Sequence, residues 1–269
     1  MSSKKGQNLR VKKHFPAKKW LGIIRNYLLG KIGLNNYWLK ELKEYYGWEK
    51  DGGFYKNYNQ KQKFIKTLWK KKGRKTEKDI RSYYAETNYW ILRQMFIHKN
   101  NCFPEIADLL PKDRTIDFCE YGSGVGPVTK WLSPRFPKGK FTLVDLPSPV
   151  LEFAKWRFRR NNMTKFLTVP PQRFPLKEKY DFITCFAVLE HVTKPLKLVK
   201  HLVDHLKADG TLLIDYQYDE GTNENLFQSA EQRDKTIDYL NKNLKIIWAL
   251  DKEWKKDGGF GQYLKPKKI

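Results

Sequence analysis

The chain has 269 residues, 40% of them hydrophobic, and a formal net charge of +24. That length and apolar content allow one full domain with an extension, and no run of about 18 apolar residues is present to cross a membrane. Cys102, Cys119 and Cys185 have neither paired nor metal-ligand spacing, so the expectation is buried thiols in a reducing compartment and no metal. The short run 21–29 is broken by Arg25 and Asn26 and is no signal-peptide core, so a cytoplasmic protein is expected.

The charge is uneven. Residues 1–80 carry 22 Lys and Arg against 6 Asp and Glu, and the remaining residues carry 31 against 23. The same N-terminal stretch is rich in Trp and Tyr, too apolar for a disordered tail beyond its first residues, and its spacing predicts helices over 18–29, 37–46 and 60–71. Three uses stay open for it. It is a solvated surface of biased composition. Or residues 18–75 meet a membrane surface or another anionic partner, with Trp20, Ile23 and Tyr27 on one helical face beside Lys18, Lys19 and Arg25. Or Lys61, Lys63, Lys66 and Arg74, with Phe64 and Trp69, hold nucleic acid, although no zinc spacing or RNA-recognition motif accompanies them.

Downstream, a short apolar run over 115–119 predicts a buried strand. It leads into Glu120-Tyr121-Gly122-Ser123-Gly124-Val125-Gly126. Alternating glycines let the backbone turn tightly and approach a ligand where a Cβ would block it. Pro127 then opens a helix over 128–132, at a position where a missing N–H costs nothing. A dinucleotide fingerprint starting at Gly122 would need glycine where Pro127 stands. A second strand over 140–145 ends in Asp145, a carboxylate suited to ribose hydroxyls and equally to capping the next helix. Further strands are predicted over 165–169 and 180–187, followed by Val188-Leu189-Glu190-His191-Val192 and a helix over 194–206. A turn at Asp209-Gly210 and a strand over 211–216 come next. A helix over 223–241 and an antiparallel pair, 244–250 with 261–264 around Asp257-Gly258-Gly259, close the chain. Trp48-x-Lys50-Asp51-Gly52-Gly53-Phe54 recurs at 254–260 and reads as two similar turns. The sum is an α/β fold, a seven-stranded, mostly parallel sheet with helices on both faces. Its crevice lies at the carboxyl ends of the first and fourth strands.

Glu120 through Gly126, Asp145 about 20 residues on, and the run from Asp181 through Leu189-Glu190-His191-Val192, in this order, resemble class I S-adenosylmethionine-dependent methyltransferases. The likeness is to the broad subgroup that includes quinone and natural-product methyltransferases, and it covers about residues 80–269. It implies a Rossmann-like transfer domain over 80–269 behind a basic, aromatic-rich helical extension over 1–79, with S-adenosylmethionine as cofactor. In that reading Gly122, Gly124 and Gly126 admit the methionine part, and Glu120 orders the loop. Asp145 holds the ribose, Leu146 packs against adenine, and Phe186 presents a backbone carbonyl. Members often carry an acid after the third strand, where this chain has Pro170-Pro171-Gln172-Arg173; Gln172 supplies an amide oxygen there instead. His191 is either a general base for an acceptor hydroxyl or a residue that orients the next helix. The implied acceptor is a small molecule, sugar, lipid-linked or quinone-like, methylated at O or N. The alternatives are an RNA or protein methyltransferase gripping a polymer through the extension, and a non-catalytic cofactor-binding module. The Asn/Asp-Pro-Pro-aromatic sequence of many base-methylating enzymes is missing, since Cys185-Phe186-Ala187 stands in its place.

Overall fold

A computed structural model describes residues 37–50, 52–72, 76–99, 103–110, 115–216, 226–249 and 259–264. The predicted helix over 18–29, Cys102 and the second Trp-to-Gly258 stretch lie outside them. Five strands form the parallel body: β1 (Asp117–Tyr121), β2 (Lys140–Asp145), β3 (Thr164–Thr168), β4 (Tyr180–Cys185) and β5 (Leu206–Tyr216), in the order β3-β2-β1-β4-β5. Two antiparallel strands, β7 (Gly259–Leu264) and then β6 (Lys245–Ala249), continue the sheet beyond β5. The chain runs from β1 outward to β3, then returns across β1 to β4. Ligand crevices of open α/β sheets form where the order reverses in this way.

Helices cover both faces because the five parallel strands present apolar side chains on both. All six residues of β4 are buried, as a central parallel strand requires. On one face Val128 and Leu132 of α6 (Pro127–Leu132) join Phe118, Phe141 and Phe182 in a cluster. On the other, α8 (Pro195–Asp204) buries Leu198, Val199, Leu202 and Val203 at helical spacing, with α9 (Phe227–Asn243) beside it. Pro195 and Pro149 each sit in the first turn of a helix, α8 and α7 (Pro149–Arg157). Their fixed φ suits that position.

Among the described residues, four N-terminal helices precede β1: α1 (Tyr37–Tyr46), α2 (Gly52–Lys71), α3 (Glu77–Ala85) and α4 (Tyr89–Ile97), with the short α5 (Pro104–Leu109) leading into the sheet. Their aromatic residues form one cluster, including Trp38, Phe54, Tyr83, Tyr89 and Trp90, that also takes in Val125 of the glycine loop and Val150 and Phe153 of α7. Glu41 of α1 pairs with Lys130 of α6 at 2.6 Å and with Arg157 of α7 at 2.9 Å. Thr76 caps α3 with a reciprocal capping box to Asp79, satisfying two otherwise orphaned N–H groups. The helices are therefore seated on the domain, and residue 79 falls inside α3.

Several expected boundaries move. The helix predicted over 60–71 begins at Gly52, so Gly52-Gly53 opens a helix where a turn was expected. The turn predicted at Asp209-Gly210 lies inside β5, which starts at Leu206; the pairing with β4 is irregular between Tyr180 and Phe182. A Cβ on Gly210 would stand 2.9 Å from the Tyr180 carbonyl oxygen. The glycine there serves close strand approach at a bulge. The strand predicted to reach residue 187 stops at Cys185, because Ala187 takes a left-handed φ of 51° that no strand can continue.

Candidate active site

The crevice is built around the turn after β1. Gly122 and Ser123 donate to the Val144 carbonyl at 2.8 and 3.0 Å, folding the loop over the end of β2. Gly122 has φ 67°, and a Cβ there would stand 2.0 Å from Val188 Cγ2; at Gly124, φ 53°, it would stand 2.0 Å from Gln94 Oε1. Both positions require glycine. Glu120 is buried, and its two oxygens accept from the N–H groups of Val128 (3.1 Å) and Thr129 (2.8 Å). It thereby caps the first turn of α6 and ties the loop to β1. Burial pushes its carboxyl up to about 7 against the pull of those hydrogen bonds.

Asp145 faces the same loop. Its Oδ2 accepts from Gly124 N–H and its Oδ1 from Leu146 N–H, each at 2.6 Å. Desolvation raises it to about 6, opposed by both bonds. A carboxylate has about four acceptor sites, so roughly two stay available to a ligand. From the roof, Gln94 of α4 accepts from Val125 N–H at 2.9 Å, and Arg157 donates to the Val125 carbonyl at 2.8 Å. The loop is thus held from below by Asp145 and Glu120 and from above by α4.

Between sheet and roof lies a cavity of about 1070 Å³. Its floor includes Glu120, Gly122, Ser123, Asp145, Leu146 and Phe186, and its roof includes Ile80, Tyr84, Trp90 and Gln94. At the β3 side, Arg81 donates to the carbonyls of Val169 (2.8 Å) and Pro170 (2.7 Å) and pairs with Glu77 at 2.7 Å. Glu77 in turn accepts from the Gln172 N–H with both oxygens. Gln172 has φ 58°, an uncommon conformation that this anchoring holds. At the β4 side, the turn Leu189–His191 brings His191 to the wall, its ring 6.4 Å from Tyr84 between centroids. Ser123 Oγ, Trp90 Nε1 and Glu190 Oε2 are buried with no hydrogen-bond partner among the described residues. All three residues line this cavity. Among the described residues no group of three or more His, Cys, Asp or Glu could hold a metal ion, and no helix is long and apolar enough to cross a membrane.

Of the residues singled out from sequence, Glu120, Gly122, Asp145, Leu146, Gln172, Phe186 and His191 line this one cavity. Gly124 and Gly126 do not. Gly124 lies behind the Asp145 bond, and a Cβ on Gly126 would meet Phe158 and Leu143 of the core. Sequence reasoning missed Gln94, Arg81 and Glu77, which carry no motif. It also passed over Glu190, whose signal was present: an acid inside an apolar run directly after a buried strand.

Fold and site together define an α/β protein with a nucleotide-type glycine loop, a carboxylate after the second strand and a helical roof. Residues 91–253 match the family model described as a methyltransferase domain, and the chain belongs to that family. It is 31% identical over 112 residues to a malonyl-(acyl-carrier protein) O-methyltransferase of Acetivibrio thermocellus, covering 42% of this chain and 39% of that protein. With the enzyme of the same description from Bacillus cereus it shares 34% over 99 residues, 37% of this chain and 36% of the relative. The chain thus spans well under half the length of the curated relatives it matches. Among solved structures, the N-methyltransferase NodS from Bradyrhizobium japonicum WM9, in complex with S-adenosyl-L-homocysteine, aligns with TM-score 0.47 and 15% identity, over 76% of this chain and 98% of that one.

Proposed function

We propose that this chain transfers a methyl group from S-adenosylmethionine to a small-molecule acceptor, at oxygen or nitrogen. The observation that carries the reading is the loop Gly122–Gly126 wrapped around the Asp145 carboxylate at the mouth of a roofed cavity, inside a methyltransferase-family segment. The residues present fit such a cofactor. Gly122 and Ser123 of the loop line the cavity, Asp145 keeps acceptor capacity for vicinal hydroxyls, and Ser123 Oγ is an orphaned buried group. The volume, about 1070 Å³, is at the upper end for small-ligand sites and suits a cofactor plus a modest acceptor. A roof of aromatic helices favours a small acceptor over a polymer, which would need an open groove.

When bound, S-adenosylmethionine supplies a methyl carbon made electrophilic by its sulfonium. This chain's residues then bind and aim. Gly122 and Ser123 offer close backbone approach to the amino-acid end, and Glu120 keeps the loop ordered by capping α6. Gly124 and Gly126 give that loop its left-handed turns. Asp145 accepts from the ribose hydroxyls, Leu146 packs against the base, Gln172 meets its amino edge, and the Phe186 carbonyl faces the amino-acid end. The roof excludes water, and holding the acceptor atom in line accounts for much of the rate. His191 receives at a ring nitrogen the proton that leaves an acceptor hydroxyl.

The same proposal takes all seven strands with residues 80–269 as the transfer domain and the basic residues 1–79 as a helical extension, α3 crossing between them. Residues 18–75 would serve as its membrane-surface or anionic contact. A sugar, lipid-linked or quinone-like acceptor suits the cavity; the relatives' malonyl group on acyl-carrier protein is a further acceptor to compare. Calorimetric titration with S-adenosylhomocysteine tests the reading: saturable one-site binding is expected, and no binding would refute it.

A further inference from the structure

We propose that Glu190, backed by Asp215, forms the acceptor subsite of this cavity, and that the acceptor presents an N–H or O–H donor there, an amine or a hydroxyl, rather than a carboxylate. The inference rests on the methyl-transfer reading above and deepens it. Topology separates the two ends of the cavity. Asp145 closes β2, while Glu190 and Asp215 belong to the ends of β4 and β5, on the other side of β1. A nucleoside anchored at Asp145 leaves the β4–β5 end for the second reactant.

Glu190 is 2% exposed, lines the cavity, and has one carboxyl oxygen, Oε2, without a partner among the described residues. Its backbone is fixed. Leu226 N–H donates to the Glu190 carbonyl at 2.9 Å, and Ser229 Oγ donates to the Leu189 carbonyl at 2.7 Å. The turn that carries the side chain is thus held in place. Asp215 stands behind it, its Oδ1 accepting from Ala187 N–H at 2.7 Å. Ala187 holds φ 51° to make that bond. The groups titrating around the pair are Cys185 at the end of β4, Tyr216 on β5 and His191 beside it. Each acid is raised, to about 7, chiefly by burial, and Asp215 further by the charge of Glu190.

A buried carboxyl oxygen with no donor costs free energy, and such unmet groups collect where a ligand completes them. A donor hydrogen from the acceptor satisfies Oε2. A carboxylate brought against the buried, ionised Glu190 adds repulsion and a second desolvation cost. Tyr84 and Trp90 on the roof and Phe186 on the floor give the donor-bearing carbon a flat, apolar surround. Arg93 lies over the Trp90 ring at 5.6 Å, and Lys194 and Lys197 also line the cavity. None of them partners Oε2, so an anionic part of the acceptor has cations elsewhere on the wall.

The test uses three shape-matched probes, benzylamine, benzyl alcohol and benzoate, bound at pH 8, where Glu190, raised to about 7, is ionised, to the full chain saturated with S-adenosylhomocysteine and followed by ligand-observed NMR. At least one donor probe is expected to bind about tenfold or more tighter than benzoate, and Glu190→Gln to erase that ranking, since one lost charged hydrogen bond is worth about that ratio or more. Benzoate binding as tightly as both donor probes would overturn the assignment. So would binding by none of the three, or a ranking unchanged in Glu190→Gln. Should that variant not fold, Asp215→Asn carries the same comparison, with a weakened ranking expected. Failure of S-adenosylhomocysteine to bind sinks the methyl-transfer reading. Tight binding of it with no probe ranking sinks the subsite alone.

Discussion

Replacing Glu190 by glutamine should stabilise the protein at alkaline pH while leaving it nearly unchanged in acid. The Glu190 carboxyl is raised from its ordinary 4.5 to about 7 in the folded chain, with burial as the cause. Between those values the folded state holds a proton that the unfolded state has released. Stability from this group is therefore present below pH 4.5 and lost as pH rises through 7. The displacement corresponds to about 3 kcal/mol, an appreciable share of a domain's total of about 5–15 kcal/mol. Glutamine resembles the protonated acid and does not titrate. Removing the Glu190 charge also relaxes Asp215, which that charge helps to raise, and this acts in the same direction. Urea unfolding at pH 4.5 and pH 8, compared at equal m-value, should show the gap between variant and wild type widening by about 3 kcal/mol in favour of the variant. The lowered histidines, His98 and His201, contribute equally to both proteins and cancel. Parallel pH dependence in the two would refute the argument that this carboxyl is buried without compensation.

Asp145→Ala should weaken S-adenosylhomocysteine binding by about 1–3 kcal/mol through lost charge-assisted contacts, measured by calorimetry; unchanged affinity would remove Asp145 from the ribose. Gly122→Ala should cost about 1–2 kcal/mol for the left-handed φ alone, plus the contact with Val188 Cγ2 at 2.0 Å. Thermal melts should therefore recover only part of the loss in Gly122→Ala/Val188→Ala, and complete recovery would contradict the strain account. His191→Ala should slow methylation of an acceptor hydroxyl by about a hundredfold or more at unchanged cofactor affinity. A wild-type rate would reduce His191 to a structural residue.

Much of this protein is written in short-range pattern. Alternate glycines after an apolar run, a carboxylate closing the next strand and apolar residues at helical spacing in α8 each follow from local backbone geometry. The five parallel strands, though not all their ends, and part of the crevice floor could therefore be read from sequence. Local pattern also misled in two places, because Asp-Gly and Gly-Gly suit turns in isolation. Gly210 answers instead to the Tyr180 carbonyl across the sheet, and Gly52 to a helix packed on aromatic neighbours. Tertiary structure alone decided how the roof is tied down. Gln94, Arg81 and Glu77 form no motif, and their partners Val125, Val169, Pro170 and Gln172 lie 31 to 95 residues away. Seating a basic, aromatic N-terminal stretch over the crevice depends on matching two surfaces that only the folded chain brings together. The unmet Glu190 oxygen likewise becomes visible only once the described donors around it have their places.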